Sequence, residues 1–218
     1  MKKTELLAPA GNYEKLEIAL AYGADAVYLG GKNFSMRSAA DNFTRFEMKN
    51  AVELVHSQNK KAFITINIIA RNRDIEEIIE EMKFINSINA DALIISDVGL
   101  IALAKKHAKN VKIHVSTQAN ILNRETAIFF AELGVDRLIL VRELSLDEIK
   151  GIRVALPSKV EIELFVKGIL CVMRSGRCLL SNYMANRDAN RGECAQPCRW
   201  KYNLVEEKRP GEYIQVIE

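Results

Sequence analysis

All four cysteines of the chain, Cys171, Cys178, Cys194 and Cys198, fall in one short stretch, and the rest of the sequence has none. Four thiolates are the number that saturates a tetrahedral zinc or an iron–sulfur cluster. Their spacing is C-x6-C-x15-C-x3-C. Structural zinc favours paired knuckles with two to four residues between ligands, and the first pair here is too wide for one. A cluster offers separated corners and tolerates irregular spacing. The spacing therefore favours an iron–sulfur cluster, with unmetallated thiols and zinc as the other readings. A thiol nucleophile needs a nearby base, and His56, His107 and His114 all lie elsewhere in the sequence. No HExxH, GxSxG or Ser-His-Asp arrangement is recognisable.

Charge collects in the same place. Residues 167–209 hold nine basic side chains, among them Lys167, Arg174, Arg177, Arg187, Arg191 and Arg199, against Asp188, Glu193, Glu206 and Glu207. That is a local +5 in a chain of net charge +3, which leaves −2 for the remainder. Two readings stand. The arginines face an anionic partner, or they neutralise bound thiolates and form local ion pairs.

The elements that must position these groups alternate. Short runs rich in Ile, Val and Leu predict strands at Glu5–Ala8, Ala26–Leu29, Ala62–Asn67, Ala92–Ser96, Lys112–Ser116, Arg137–Val141 and Glu161–Val166. They lack strict alternation, as parallel strands buried on both faces do. Helical patterns lie between them, most clearly Asp74–Ile88, with Ile75, Ile78, Ile79, Met82 and Ile85 on one face and Asp74 as its cap. Ser145 and Glu148 form a capping-box pattern before another helix. An echo recurs where helix meets strand: Gly23-Ala24-Asp25, Asn89-Ala90-Asp91 and Gly134-Val135-Asp136. Gly or Asn supplies the left-handed helix stop, and Asp sits in the tight turn.

Repeated strand–helix units of this length predict an α/β fold, a (β/α)8 TIM-barrel-like chain, with an open doubly wound sheet as the rival. No Gly-rich phosphate loop follows the first strand: Ala8-Pro9-Ala10-Gly11-Asn12 is a turn and cap. Seven strands precede the cysteine segment, so the barrel is expected to stop before its last strand. The expected organisation is a seven-strand barrel core at 1–168, a Cys/Arg-rich cluster-binding segment at 169–209, and the start of a truncated part at 210–218, unless Tyr213–Val216 pairs elsewhere. The N-terminus lacks a signal-peptide apolar region and no apolar run is long enough to span a membrane, so a cytoplasmic location is expected.

A barrel carries its chemistry at the strand C-terminal ends. Those ends supply Pro9, Gly11, Gly30, Gly31, Asn67, Asp97, Ser116, Thr117, Gln118, Asn120, Arg142, Glu143, Lys167 and Gly168. Each also has a plain structural reading, since Asn, Asp and Ser commonly cap the next helix. His114 sits upstream of its strand end and reads as a barrel-lining residue. The cysteine segment begins directly after Lys167, which puts Cys171 at the same rim.

The run from Glu163 through Phe165, Lys167 and Gly168 to Cys171, followed by Gly176-Arg177-Cys178-Leu179-Leu180-Ser181, resembles the signature of peptidase family U32. The likeness continues through Asn186-Arg187-Asp188-Ala189-Asn190-Arg191-Gly192 and Cys194-Ala195-Gln196-Pro197-Cys198-Arg199-Trp200-Lys201-Tyr202. Leu7-Ala8-Pro9-Ala10-Gly11 and His114-Val115-Ser116-Thr117-Gln118-Ala119-Asn120 are similar to the family as well. Two positions depart: Lys167 stands where the family usually has His, and Ile169 where it has a small residue. Lysine keeps a cation but loses acid–base ability near neutral pH.

The resemblance implies one of two activities. One is iron–sulfur-dependent, oxygen-independent hydroxylation of a wobble uridine in tRNA, a cytidine in ribosomal RNA or a ubiquinone precursor. The other is a collagenase-like peptidase acting on a peptide substrate. A non-catalytic scaffold fixed by its metal is a third reading. The cysteines and the basic, aromatic-bearing segment with Tyr183, Trp200 and Tyr202 favour RNA hydroxylation, tRNA first. In that reading Cys171, Cys178, Cys194 and Cys198 hold a [4Fe–4S] cluster at the mouth of the barrel, with zinc as the alternative. Gln118, Asn120, Arg142, Glu143 and Lys167 position a small hydroxyl donor or the target base, and Arg187 and Arg191 contact phosphate or carboxylate.

Overall fold

A computed structural model describes residues 4–36, 41–168, 171, 173, 177–205 and 207–216. Seven strands pair in parallel in chain order: β1 (Leu7–Pro9), β2 (Ala26–Gly30), β3 (Lys61–Ile66), β4 (Ala92–Ile95), β5 (Lys112–Val115), β6 (Arg137–Ile139) and β7 (Glu161–Glu163). The connections are α1 (Tyr13–Ala21), α2 (Arg45–Ser57), α3 (Ile75–Ser87), α4 (Val98–His107), α5 (Arg124–Glu132) and α6 (Leu146–Ala155). Strand spacing in a flat sheet would hold β1 and β6 about 24 Å apart. Instead Arg137 at the start of β6 bonds Glu5, just before β1, at 2.8 Å. The sheet is therefore curled into a TIM-barrel-like half-barrel.

Side chains alternate across its wall. Ile64, Ile66, Leu93, Ile95, Val115 and Leu138 face outward into the core shared with the helices. Ala26, Phe63, Ala92, Ile94 and Ile139 face inward, packed with Leu7 and Tyr28. Because both faces are buried, the strands read as near-continuous apolar runs.

The strands lie where the sequence predicts them, with shifted ends. β1 starts two residues later, at Leu7, and β6 and β7 stop two and three residues early, at Ile139 and Glu163, while β1 and β2 run on to Pro9 and Gly30 and β3 begins at Lys61. Beyond Glu163, at the edge of the described sheet, Leu164, Phe165 and Val166 are exposed. The helix stops follow the expected pattern, with Gly23, Asn89 and Gly134 all at positive φ.

The aspartates of the echo do more than sit in turns. Asp25, Asp91 and Asp136 each accept, on the carboxylate, a backbone N–H of the preceding strand region, from Leu6 (3.0 Å), Ala62 (2.8 Å) and Ile113 (2.9 Å). Their carbonyls accept N–H groups from the following strand, at Lys61, Lys112 and Glu161. Each aspartate thus ties three adjacent strands at their starts.

Asp74 does not cap α3 as expected. Its side chain makes no bond to that helix and instead accepts the Arg71 N–H at 2.8 Å, closing the 3-10 turn at Asn72–Asp74. Past the barrel lie α7 (Leu180–Ala185) and an antiparallel hairpin of β8 (Tyr202–Val205) with β9 (Tyr213–Val216). Tyr213–Val216 thus finds its partner in Tyr202–Val205, and the hairpin joins residues on both sides of position 210.

Candidate functional site

The strand ends present a mixed set of groups. Several of the expected polar residues are occupied by the fold. Asn67 Oδ1 accepts the Met36 N–H at 3.0 Å, and Asp97 caps α4 through Leu100 N at 3.0 Å. Gly30 packs so closely that an added Cβ would stand 2.6 Å from Ser35 Oγ and 2.9 Å from Thr65 Oγ1.

After β5 the chain makes a 3-10 turn, Thr117–Ala119, in which Ser116 Oγ donates to Gln118 Oε1 at 2.8 Å. Asn120 follows in the left-handed region at φ 58, and its buried Oδ1 meets no hydrogen-bond partner among the described residues. Gln118 and Asn120 therefore share one turn at the rim. Arg142, just past β6, lies over the Phe165 ring at 5.1 Å from its centre, so the ends of β6 and β7 are joined by a cation–π contact. Glu143 and Lys167 are exposed. A cavity of about 530 Å³ opens beside Gly31 between the start of α2 and the acidic side of α3, and none of the cysteines lines it.

The cysteine segment leaves the barrel after β7 and returns to it on the β3 side. Ile69 N, in the β3–α3 loop, donates to Asn190 O at 3.0 Å. Arg191 donates from both terminal guanidinium nitrogens to Asp74, at 2.7 and 3.0 Å, and Arg71 reaches Asp188 at 3.2 Å. In a sheet ordered β1 to β7 these contacts lie four strands away from β7, so the segment departs from the strand-end rim at one place and is tied to it again at another. The Arg191 hydrogen bond holds the Asp74 carboxyl below its ordinary range, and the same contact raises the guanidinium. The fork expected to meet phosphate is thus filled by Asp74, whereas Arg187 is exposed.

Within the segment, Cys178 is buried and Cys171, Cys194 and Cys198 are exposed. Asn190 grips the Cys178 backbone from both sides, accepting its N–H at 3.1 Å and donating to its carbonyl at 3.2 Å. At the other pair, Gln196 adopts φ 56 and its N–H points at Cys194 Sγ, 3.4 Å away. Such a bond stabilises a thiolate, so this turn suits a metal-bound sulfur. The donor set matches the softness that a cluster or zinc demands. Among the described residues no three Cys, His, Asp or Glu side chains come together to hold one ion. Ile169, Arg174, Gly176 and Glu206, which the sequence reading invoked, lie outside the described residues.

Of the three aromatics, two are spent locally: Trp200 Nε1 donates to Ala195 O at 3.3 Å and Tyr202 OH to Pro197 O at 2.8 Å. Tyr183 on α7 is 89% exposed. The sequence names Asn190 and Phe165 only within the family signature and Asp74 only as a helix cap, because cap and long-range anchor share the same residue types.

Below the rim, His114 is buried in the lumen against Phe63, edge to face at 4.6 Å. Burial, with Arg137 nearby, pushes its pKa down to about 2, so it is neutral, and its Nδ1 has no partner among the described residues. This matches its reading as a lining residue. Arg137 bonds Glu161, Glu5 and Glu163. Burial alone would depress the guanidinium, but these bonds outweigh it and raise the pKa. Burial raises Glu163 in spite of Arg137.

The sequence profile of peptidase family U32 matches residues 11–216, and the chain belongs to that family. Over 208 residues, 95% of its length, it is 44% identical to the tRNA hydroxylation protein P of Escherichia coli, covering 46% of that protein. It is 36% identical over 209 residues to the 23S rRNA 5-hydroxycytidine synthase of the same organism, covering 94% of this chain and 31% of that one. The chain spans about half the length of the curated relatives first matched. Among solved structures, a U32 peptidase superposes with a TM-score of 0.60 at 15% identity, over 74% of this chain and 68% of that one, a likeness of fold.

Proposed function

We propose that this member of peptidase family U32 is the barrel portion of an RNA hydroxylation factor, with a tRNA wobble uridine as its target and an iron–sulfur cluster on Cys171, Cys178, Cys194 and Cys198. The observation that carries the reading is the four-cysteine segment, tied to the strand-end rim through Arg191 and Asp74, in a chain that is 44% identical, over nearly its full length, to a tRNA hydroxylation protein. Hydroxylation replaces a ring C–H with C–OH, a two-electron oxidation of the base, so the proposal needs a small hydroxyl donor at the site that gives up its hydroxyl, takes the hydrogen in exchange and is itself reduced by two electrons. A cluster there would supply a place for electrons or hold the segment over the mouth.

The chain's own groups divide the remaining work. Tyr183 offers an exposed ring for base stacking, and Arg187 a cation for phosphate. Gln118 and Asn120 offer amides from one turn, and the unpartnered Asn120 Oδ1 suits an N–H of a base edge. Arg142 and Lys167 suit an anionic donor, with exposed Glu143 beside them.

The peptidase reading draws support from the family's name. Against it stands the placement of the histidines. His56 and His107 lie in the last turns of α2 and α4, which end at the strand starts, and His114 is neutral within the lumen. None of these places sets an imidazole at the strand ends, where a Cys–His or Ser–His pair would act.

Two measurements test the proposal. Protein purified without oxygen is analysed for iron and sulfide, and tRNA from cells lacking the gene is profiled for uridine modification. Bound iron and loss of the hydroxylated uridine, restored by the intact gene and not by Cys178→Ala, are expected. Unchanged tRNA, or an iron-free protein that restores the modification, overturns it.

A further inference from the structure

The cysteine segment touches the barrel through a short, connected set of bonds. Cys178 is held on both backbone groups by the Asn190 side chain. The Asn190 carbonyl is held by Ile69 N, in the loop that follows β3. The next residue, Arg191, places its fork on Asp74 and reaches the Ile69 carbonyl at 3.4 Å. Asp74 in turn is fixed by the Arg71 N–H at the start of α3, and Arg71 returns to Asp188, whose Oδ1 accepts the Asn190 N–H at 2.9 Å. Asp74 is 7% exposed and Cys178 8%.

We propose that Asp74, Asn190 and Arg191 form a clamp that positions Cys178 over the barrel by tying the cysteine segment to the β3–α3 loop. The role of Cys178 as a ligand rests on the cluster reading above; the clamp itself rests only on these bonds. An exposed ion pair would carry little positional information, because two long side chains would sample many geometries. Here the carboxylate is buried, preoriented by a backbone N–H and met by both arms of a planar fork, which fixes direction as well as distance. The clamp makes Cys178 unlike its three neighbours. Its backbone has one position before any metal arrives, while Cys171, Cys194 and Cys198 are exposed on the segment around it. Assembly would then begin from one preset ligand, lowering the ordering cost of the site.

The clamp is tested on the whole chain by the rate at which each cysteine reacts with iodoacetamide, read by peptide mass spectrometry, in metal-free protein and in protein isolated without oxygen. In metal-free wild type, Cys178 should react about tenfold or more slowly than Cys194, because reaction requires local opening. Asp74→Asn and Arg191→Lys, which keep size but lose the paired fork, should raise the Cys178 rate about tenfold and leave the other three unchanged. Asn190→Ala acts at the far end of the clamp and leaves the Asp74–Arg191 pair in place. It should raise the same rate, and it serves as the test if an Asp74 variant fails to fold.

If the cluster is present, the same variants should lose iron faster than wild type while retaining the circular dichroism of the barrel. If wild type binds no iron but shows the protected Cys178, the cluster reading falls and the clamp stands. Equal reactivity of all four thiols in metal-free wild type, or protection of Cys178 that survives both Asn190→Ala and Arg191→Lys, overturns the clamp.

Discussion

Replacing His114 with Gln removes one ionisable group from the barrel lumen and leaves the surrounding charges in place. In the folded chain the imidazole has a pKa of about 2, pushed down by burial and by the Arg137 guanidinium. In the unfolded chain it returns to about 6.5. Between those values the unfolded state binds a proton that the folded state refuses, so stability rises with pH and is lost as pH falls through the unfolded value. The contribution is about 0.2 kcal/mol at pH 7 and about 2 kcal/mol at pH 5, so wild type should lose about 2 kcal/mol across that range from this group alone.

Asp74, Glu5 and Glu163 also have shifted pKa values, but they remain in the variant and largely cancel in the comparison. Urea denaturation of both proteins at pH 7, 6 and 5, with metal content matched, measures the difference. The wild-type curve should fall more steeply by about 1.4 kcal/mol per pH unit at the acid end. Parallel curves would show that His114 protonates without penalty, and the neutral lumen histidine would be wrong.

Removal of Arg137 leaves three carboxylates around a vacated, nearly buried position. Arg137→Leu should cost about 3 kcal/mol in chemical denaturation, and adding Glu163→Leu should recover part of it. Gly30→Ala forces a methyl group to within 2.6 Å of Ser35 Oγ and should lower stability by about 1–3 kcal/mol, with relief when Ser35 is also changed to Gly. Asp136→Ala strips the acceptor from the Ile113 N–H, with an expected loss of about 1–3 kcal/mol. Hydrogen exchange at the Ile113 amide should accelerate in that variant more than exchange in β2.

The barrel is legible in the sequence because strands buried on both faces read as mostly apolar runs, and β2 to β5 are buried along nearly their whole length. The sequence overextends β6 and β7 for a related reason. Leu140, Val141, Leu164 and Val166 are apolar, yet whether they extend a strand depends on a neighbour that sequence pattern does not name. The same limit applies at the site. Gln118 and Asn120 are legible by residue type and their place just past a strand end, and Cys178 by its membership of the four clustered cysteines. That Asp74 would reach Arg191, and that Asn190 would grip Cys178, depends on a contact between residues 117 apart and another between residues 12 apart on either side of α7. Local spacing offers no signal for the first, and a helix-cap reading conceals it. The departure at Lys167 shows the opposite case, plain in sequence yet placed by the structure only as an exposed side chain just past β7.

The two ends of the barrel use the same residue types for opposite purposes. At the strand starts, Asp25, Asp91 and Asp136 each satisfy backbone donors of neighbouring strands, and Arg137 draws three carboxylates inward. A folded chain satisfies its buried polar groups, so a matched set is what stability alone requires. At the strand ends the matching is incomplete. Asn120 Oδ1 is buried without a partner among the described residues and Lys167 is exposed, while Arg187 and the Tyr183 ring are exposed on the cysteine segment. In the proposed function a ligand bound at this end meets these groups. The Asp74–Arg191 pair crosses this division. It is a matched, stability-type contact placed at the functional end, and its effect is to give the one buried thiol a fixed address above that unsatisfied rim.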